Sequence, residues 1–131
     1  MKKALLPQGW KQPRGYANGV AARGTQVFIA GQIGWDEAER FPSDDFAAQA
    51  AQALKNIVAV LAAAGGRPEH IVRMTWYVTD KREYLAALRN IGQAFRELIG
   101  DYDIAMSAVQ VVALIEDAAK VEIEATAVIP D

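Results

Sequence analysis

The 131-residue chain contains no cysteine and only one histidine, His70, and these two features remove several classes of chemistry. Without cysteine there is no disulfide, no thiolate metal site and no cysteine nucleophile. A single histidine cannot build a metal-binding cluster, and no spacing indicates a Ser–His pair. The glycines at positions 31 and 34 are not spaced as in a phosphate-binding loop. We therefore expect neither a metal nor a cofactor.

Excess positive charge and long hydrophobic runs are also lacking. There are 14 Lys and Arg residues against 16 Asp and Glu, a net charge of −2, so no nucleic-acid partner is predicted. No apolar run approaches the ~20 residues of a membrane span. Only three apolar residues lie between the two lysines and Pro7, which predicts no signal peptide. The expectation is one soluble, cytoplasmic domain, residues 1–131, without a membrane partner.

The order of strands and helices follows from periodicity and turn residues. Residues 1–18 are rich in proline and glycine and predict an extended lead-in. Ser43 is expected to cap the first helix and Asp80 the second. The alternation of apolar residues indicates the order β-β-α-β-α-β-β. These predicted elements occupy residues 19–24, 25–30, 43–65, 69–79, 80–100, 102–114 and 120–128.

This order predicts an α+β fold in which both helices pack on one face of a mixed sheet. The other face is left uncovered, and we expect Met106, Ala108 and Val112 or their neighbours to lie on it together with Glu122. A half-apolar sheet face on a small domain predicts burial against further copies of the chain. A ring-like homo-oligomer with sites between its subunits is therefore expected.

The last two strands are joined by a short connector and are predicted to pair as an antiparallel hairpin. Glu122 and Glu124 lie on one face of the second strand, and a carboxylate buried between subunits could orient or deprotonate a water. The structural alternative is a salt bridge to Arg73 or to a lysine of another subunit. Ser107 could act as a nucleophile only beside a base, and a strand hydroxyl is more often simply hydrogen-bonded.

Four segments resemble the Rid family (RidA/YjgF, also called the L-PSP endoribonuclease family). They are Val-Phe-Ile-Ala-Gly-Gln-Ile-Gly at residues 27–34, the helix at 52–65, Ile-Val-Arg-Met-Thr-Trp-Tyr-Val-Thr-Asp at 71–80 and Val-Glu-Ile-Glu-Ala-Thr-Ala-Val at 121–128. The resemblance implies a chorismate-mutase-like fold and a homotrimer with clefts between subunits. In deaminating members, these clefts hydrolyse 2-imino or 2-enamino acids to 2-keto acids and ammonia.

The resemblance also implies site residues, and several of them are changed. The family's arginine, which pairs with the substrate carboxylate, corresponds to Met106, and the cysteine two residues later corresponds to Ala108. The serine before Gly-Gln is Ala30, whereas the tyrosine of the lead-in is kept as Tyr16. Glu122 matches the acid that helps to position the attacking water. Methionine cannot pair with an anion, so ordinary 2-imino acid deamination is not expected.

Three further residues complete the predicted substrate-binding set. Ser107 lies between the two altered positions, and Trp35 follows the Gly-Gln-Ile segment, where it could roof a more apolar pocket. Arg89 corresponds to an uncharged residue that lines the cleft in typical members, and it could replace the missing arginine. A plain surface arginine on the second helix is the alternative.

Three functions follow as hypotheses. The first is hydrolysis of a small enamine or imine in which Glu122 positions water. The substrate then lacks an α-carboxylate or places its anion near Arg89. The second is a non-catalytic trimer that binds a small metabolite in the same clefts. The third is the ribonuclease activity in the family's older name, which an acidic chain without a basic aromatic patch does not favour.

Overall fold

A computed structural model describes residues 2–131 of the chain. The predicted order of elements is confirmed, with one added strand in the lead-in and a division of the second helix. The elements are β1 Lys2–Leu5, β2 Gly19–Ala22, β3 Thr25–Ile33, α1 Phe46–Ala63, β4 Ile71–Val78, α2 Lys81–Ala86, α3 Leu88–Leu98, β5 Ala105–Gln110 and β6 Val121–Ile129.

The added strand, β1, pairs with β2 as a two-stranded antiparallel sheet. Lys2 anchors it, because its Nζ donates to the carbonyl oxygens of Glu69 and Ile71 at 3.2 and 3.0 Å. The charged tip of a lysine thus satisfies two backbone acceptors just before and at the start of β4. This strand was not predicted from the sequence, because its four residues are too few to show a clear alternation.

The main sheet is mixed and has the strand order β3-β6-β4-β5. β6 pairs antiparallel with both β3 and β4, whereas β4 and β5 are parallel. The predicted hairpin between the last two strands is therefore wrong, because β4 lies between them. The side chains explain this order. β6 buries Val121, Ile123, Ala125 and Ala127 and suits an interior position, whereas β5 is mostly exposed and forms an edge.

The first helix, α1, covers one face of this sheet with the apolar residues that share its predicted face. Phe46, Leu54, Ile57 and Leu61 are all buried in the core cluster. By length and composition alone α1 is apolar enough to cross a membrane. Its buried side instead packs on β3 and β6, as the core helix of a folded domain does.

The start of α1 corrects the predicted cap. Asp45, not Ser43, is the N-cap residue, and its carboxylate accepts from the backbone N–H of Ala48 at 2.9 Å. Ser43 lies two residues earlier, where its Oγ accepts from the backbone N–H of Asp45 at 2.9 Å. At the other end Gly65 has φ +79°, which favours glycine and ends the helix as predicted.

A buried amide, Gln49, ties α1 to two loops. Its Nε2 donates to the carbonyls of Ser43 and Ala118 at 3.1 and 2.9 Å, and its Oε1 accepts from the N–H of Lys120 at 2.8 Å. These three bonds satisfy backbone groups that no strand or helix pairs. They also fix the segment that leads into β6.

The second predicted helix is divided at Ala87 into α2 and α3. Asp80 is its N-cap as predicted, and its carboxylate accepts from the N–H groups of Arg82 and Glu83. In α3 the buried residue is Ile91, which faces the core. The helix ends at Leu98, and residues 99–104 then lead into β5 along the edge of the sheet.

Candidate functional site

The strand register places the predicted site residues on opposite faces of the sheet. Glu122 is paired with Tyr77 on the face that carries no helix. Met106 is paired with Met74, which is buried in the core under the helices, and Met106 itself packs against that core. Of the two alternatives predicted for the open face, Met106 and Ala108 or their neighbours, the register therefore favours the neighbours. Ser107 is paired with Thr75, which belongs to that face.

A cavity of about 630 Å³ lies on the helix side of the sheet edge. We call it the α3–β5 cavity, since α3 forms one wall and the start of β5 another. The lead-in at residues 12–16 and the segment 100–103 complete its rim. Its volume lies within the range of small-molecule binding pockets, roughly 300–1,000 Å³. Two other concave sites have smaller volumes, about 370 and 460 Å³.

Four of the eight predicted site residues meet in this cavity: Tyr16, Met106, Ser107 and Ala108. Tyr16 comes from the lead-in and the other three from β5. The structure thus brings together residues about 90 positions apart in the sequence, because the backbone N–H of Ala17 donates to the carbonyl of Ile104 at 2.9 Å.

The other predicted residues lie elsewhere. Ala30 lines a shallower depression of about 370 Å³ on the open face, beside Arg73 and Thr75. The ring of Trp35 packs on Phe41 with their centroids 5.9 Å apart and lies outside the α3–β5 cavity. Arg89 is exposed and does not line that cavity either.

Glu122 has a defined environment on the open face. It is half-buried, and its carboxylate lies over Gly31 of β3, so that a Cβ at position 31 would stand 2.7 Å from the Glu122 Cδ. The glycine leaves the space that the carboxylate occupies. Among residues 2–131, neither Glu122 nor Glu124 forms an ion pair, so the predicted bridge to Arg73 is absent within the chain.

Glu124 differs from Glu122 in having a close partner. The hydroxyl of Tyr77 donates to Glu124 Oε1 at 2.6 Å. This hydrogen bond is the main reason why the pKa of Tyr77 is raised, because the neutral phenol is the form that can donate. Glu124 is thereby engaged in a local contact, whereas no side chain among the described residues holds Glu122 by a hydrogen bond. Of the two carboxylates, Glu122 is the better candidate to hold a water.

Arg14, Trp76 and Arg96 are among the residues of the α3–β5 cavity that were not predicted from the sequence. A signal for Arg96 was present. It lies seven residues after Arg89, close to two helical turns, and therefore on nearly the same side of α3 but about 10 Å further along the axis. The sequence around Trp76 did not indicate a cavity residue, because a tryptophan on a strand that faces a helix is equally typical of core packing.

The residues that the structure describes contain no cluster of metal-ligating side chains. No group of three or more His, Asp or Glu side chains among residues 2–131 is placed to hold a metal ion. The one histidine, His70, accepts at Nδ1 from the backbone N–H of Arg67 at 3.0 Å. It thus serves the short turn before β4.

Residues 10–129 match the family described as Endoribonuclease L-PSP. The chain belongs to this family, whose solved members include the Rid and YjgF proteins. Its α+β fold, with helices on one face of a mixed sheet, is the fold of those members.

Individual relatives cover most of the chain. A 2-iminobutanoate/2-iminopropanoate deaminase of Salmonella typhimurium is 35% identical over 113 residues, 86% of each chain. A RutC family protein of Pyrococcus horikoshii is 30% identical over 97% of this chain and 98% of its own.

Solved structures agree with these sequence relatives. The Rid family protein YyfB of Yersinia pestis, described as of unknown function, superposes with a TM-score of 0.86 at 30% identity, covering 98% of both chains. TdcF of Escherichia coli with bound serine gives a TM-score of 0.71 at 34% identity, covering 97% of this chain and 98% of its own.

Proposed function

We propose that this protein hydrolyses a small reactive enamine or imine at clefts between the subunits of a cytoplasmic homotrimer, in which residues 1–131 act as one domain. The observation that carries the proposal is the Glu122 carboxylate, which lies over Gly31 on a half-buried strand face with no ion-pair partner among residues 2–131. Family membership supports the reaction class, since relatives about 35% identical are named deaminases.

Hydrolysis of an imine requires one oriented water molecule. A bound imine is attacked at its C=N carbon by water, and Glu122 accepts the water proton as the C–O bond forms. Glu122 returns this proton to the nitrogen of the resulting carbinolamine. The C–N bond then breaks and ammonia leaves, while the hydroxyl proton passes to water and a carbonyl product remains. An enamine enters the same sequence after protonation at carbon gives the iminium form.

The two faces of the sheet support a site shared between copies. Met106 and Glu122 lie on opposite faces, so one chain cannot place both side chains in one pocket. The open face also carries exposed apolar side chains, among them Phe28, which is 74% exposed. Packing this face against another copy would bury them and bring a second chain's residues to the cleft. Elution at about three times the chain mass of 14.2 kDa is expected in gel filtration, and a monomer would contradict this arrangement.

The substrate is not expected to be an ordinary 2-imino acid. At Met106 no charge is available to pair with an α-carboxylate, and a hydrogen bond between charged groups contributes about 1.5–3 kcal/mol. The relatives named 2-iminobutanoate/2-iminopropanoate deaminase therefore indicate the reaction class and not the substrate.

A non-catalytic role in binding a small metabolite is the second candidate. One observation favours it: the α3–β5 cavity has apolar walls and is formed within one chain without Glu122. Ribonuclease activity is the least favoured, because the net charge of −2 provides no basic surface for a phosphate backbone.

The test is turnover of a panel of freshly generated enamines and imines, followed by release of ammonia. At least one compound is expected to be hydrolysed, with 2-aminoacrylate turned over poorly. Glu122→Gln should lower kcat by about 100- to 10,000-fold. Glu124→Gln, on the same strand face, is the matched control and should retain activity. If no compound in the panel is accelerated, the binding function replaces hydrolysis. An equal loss of activity in Glu122→Gln and Glu124→Gln would contradict the role of Glu122 as the residue that activates water.

A further inference from the structure

Arg96 is the cation of the α3–β5 cavity that comes from a regular helix. Its Nη1 lies 3.4 Å from the position that a Cβ would take at Gly92, one turn earlier on α3, and both residues line the cavity. Glycine in a helix interior is unfavourable relative to alanine. A Cβ at this distance would make an ordinary van der Waals contact, so the guanidinium lies along the surface of α3 beside Gly92. Among residues 2–131, Arg96 forms no ion pair.

The body of the cavity is apolar and contains one unsatisfied donor. Trp76, Ile91 and Phe95 line it together with Met106. Trp76 is 3% exposed, and its indole N–H is a buried side-chain donor without an acceptor in the described part of the chain. Such groups are rare in folded proteins and often mark a place where a water or ion has not been seen. A ligand oxygen or a water in the cavity would supply the acceptor.

Two carboxylates, Asp101 and Asp103, also line the cavity and must be weighed against Arg96. Asp103 has a cation nearby in Lys2. Burial lowers the pKa of Lys2, and the attraction to Asp103 opposes that lowering. Arg14, the other cation of the cavity, belongs to the irregular lead-in. Side chains on regular elements hold a ligand in a more defined position than those on loops. Arg96 is therefore the better placed anion partner.

We propose that the α3–β5 cavity binds a small carboxylate with an aromatic or branched apolar body, and that Arg96 pairs with its carboxylate. This deepens the function proposed above, since it names the substrate class and the residue that takes its anion. The planar guanidinium can hold a carboxylate through two parallel hydrogen bonds. The anion is thus assigned to Arg96 of α3, in place of the strand position now held by Met106 and of Arg89, which does not line the cavity.

The experiment measures binding with three unreactive probes of one shape: 3-phenylpropionate, 3-phenylpropionamide and 3-phenylpropylamine. Calorimetry on the full chain gives each dissociation constant, and tryptophan emission reports whether Trp76 is affected. The carboxylate is expected to bind at least about tenfold more tightly than the amide or the amine. Arg96→Gln should remove this preference. Arg89→Gln, two turns away on the same helix, is the matched control and should retain it.

Each remaining outcome overturns the assignment. Equal binding of carboxylate and amide, or no binding of any probe, contradicts an anion site in this cavity. Tighter binding of the amine would assign the charge recognition to Asp101. A preference that survives Arg96→Gln but is lost in Arg14→Gln would move the site to the lead-in. Thermal unfolding of each variant separates these results from loss of folding.

Failure of this proposal and failure of the proposed hydrolysis are distinguishable. The probes carry no enamine or imine, so binding is measured without turnover. Glu122→Gln should leave the carboxylate preference intact, because Glu122 lies on the opposite face of the sheet within the chain. A carboxylate preference that depends on Arg96, without turnover of any enamine or imine, would contradict only the hydrolysis. Turnover together with a carboxylate preference that survives Arg96→Gln would contradict only the site proposed here.

Discussion

Gly31→Ala is expected to disturb the protein through one side chain, Glu122. The new Cβ would stand 2.7 and 2.8 Å from the Cδ and Cγ atoms of that glutamate, well inside van der Waals contact. The obstructing atoms belong to a flexible side chain and not to the backbone, so the glutamate turns away and the sheet persists. An off-rotamer side chain costs about 0.5–1.5 kcal/mol, and the free energy of unfolding should fall by about that amount.

The activity should fall much further than the stability. A displacement of about 1 Å in a catalytic group can cost about 100-fold in rate. Urea unfolding and turnover of the best enamine from the panel measure the two quantities on the same preparation. Gly19→Ala is the control, since its Cβ would meet Leu5 at an ordinary 3.5 Å and lies far from Glu122 in the strand order.

A double-mutant cycle decides whether the effect passes through Glu122. In a Glu122→Ala background the space over position 31 is empty, so Gly31→Ala should then cost almost no stability. The reasoning is refuted if Gly31→Ala destabilises both backgrounds equally, or if turnover persists unchanged in the single variant.

Three further outcomes are expected. Met106→Arg should raise 2-imino acid deamination by about ten- to a hundredfold, as an added charged hydrogen bond would, and an unchanged rate would mean that more than the arginine has been lost. Gln49→Leu removes the hydrogen-bond partner of three part-buried backbone groups and should lower the free energy of unfolding by about 3 kcal/mol, measured in urea; a loss below about 1 kcal/mol would contradict this. Tyr77→Phe should remove a late-titrating phenol from the alkaline absorbance titration. The raised pKa of Tyr77 means that its bond to Glu124 is kept below the ordinary tyrosine pKa and lost as pH rises through the raised value.

The helices were predictable from local signals, whereas the strand neighbours were not. Gly65 ends α1 and Asp80 caps α2 as predicted, because caps depend on residues a few positions apart. The hairpin prediction failed since a short connector does not show which strand lies on either side. The choice of neighbouring strands depends on burial. β6 carries buried residues at alternating positions and pairs with a strand on each side, whereas β5 is mostly exposed and pairs on one side.

The residues of the candidate site were likewise predictable only in part. Residues close to β5 in space, such as Tyr16, were found because the family resemblance supplied them. The face on which Met106 lies could not be inferred, because a register shift of one residue reverses every side chain of a strand. Arg89 was predicted from the family resemblance and Arg96 was not predicted, since the height along a helix at which a cavity opens depends on elements distant in sequence.

The strand order has a consequence for how this protein can change over generations. The acid Glu122 is carried by an interior strand whose buried neighbours tolerate few substitutions, whereas Met106 is carried by the edge strand β5, where side chains are mostly exposed. Mutations at exposed edge positions are expected to cost less stability than those beside the acid. Such a layout would let a lineage change the residues of β5 while it keeps Glu122, the acid proposed above to activate water.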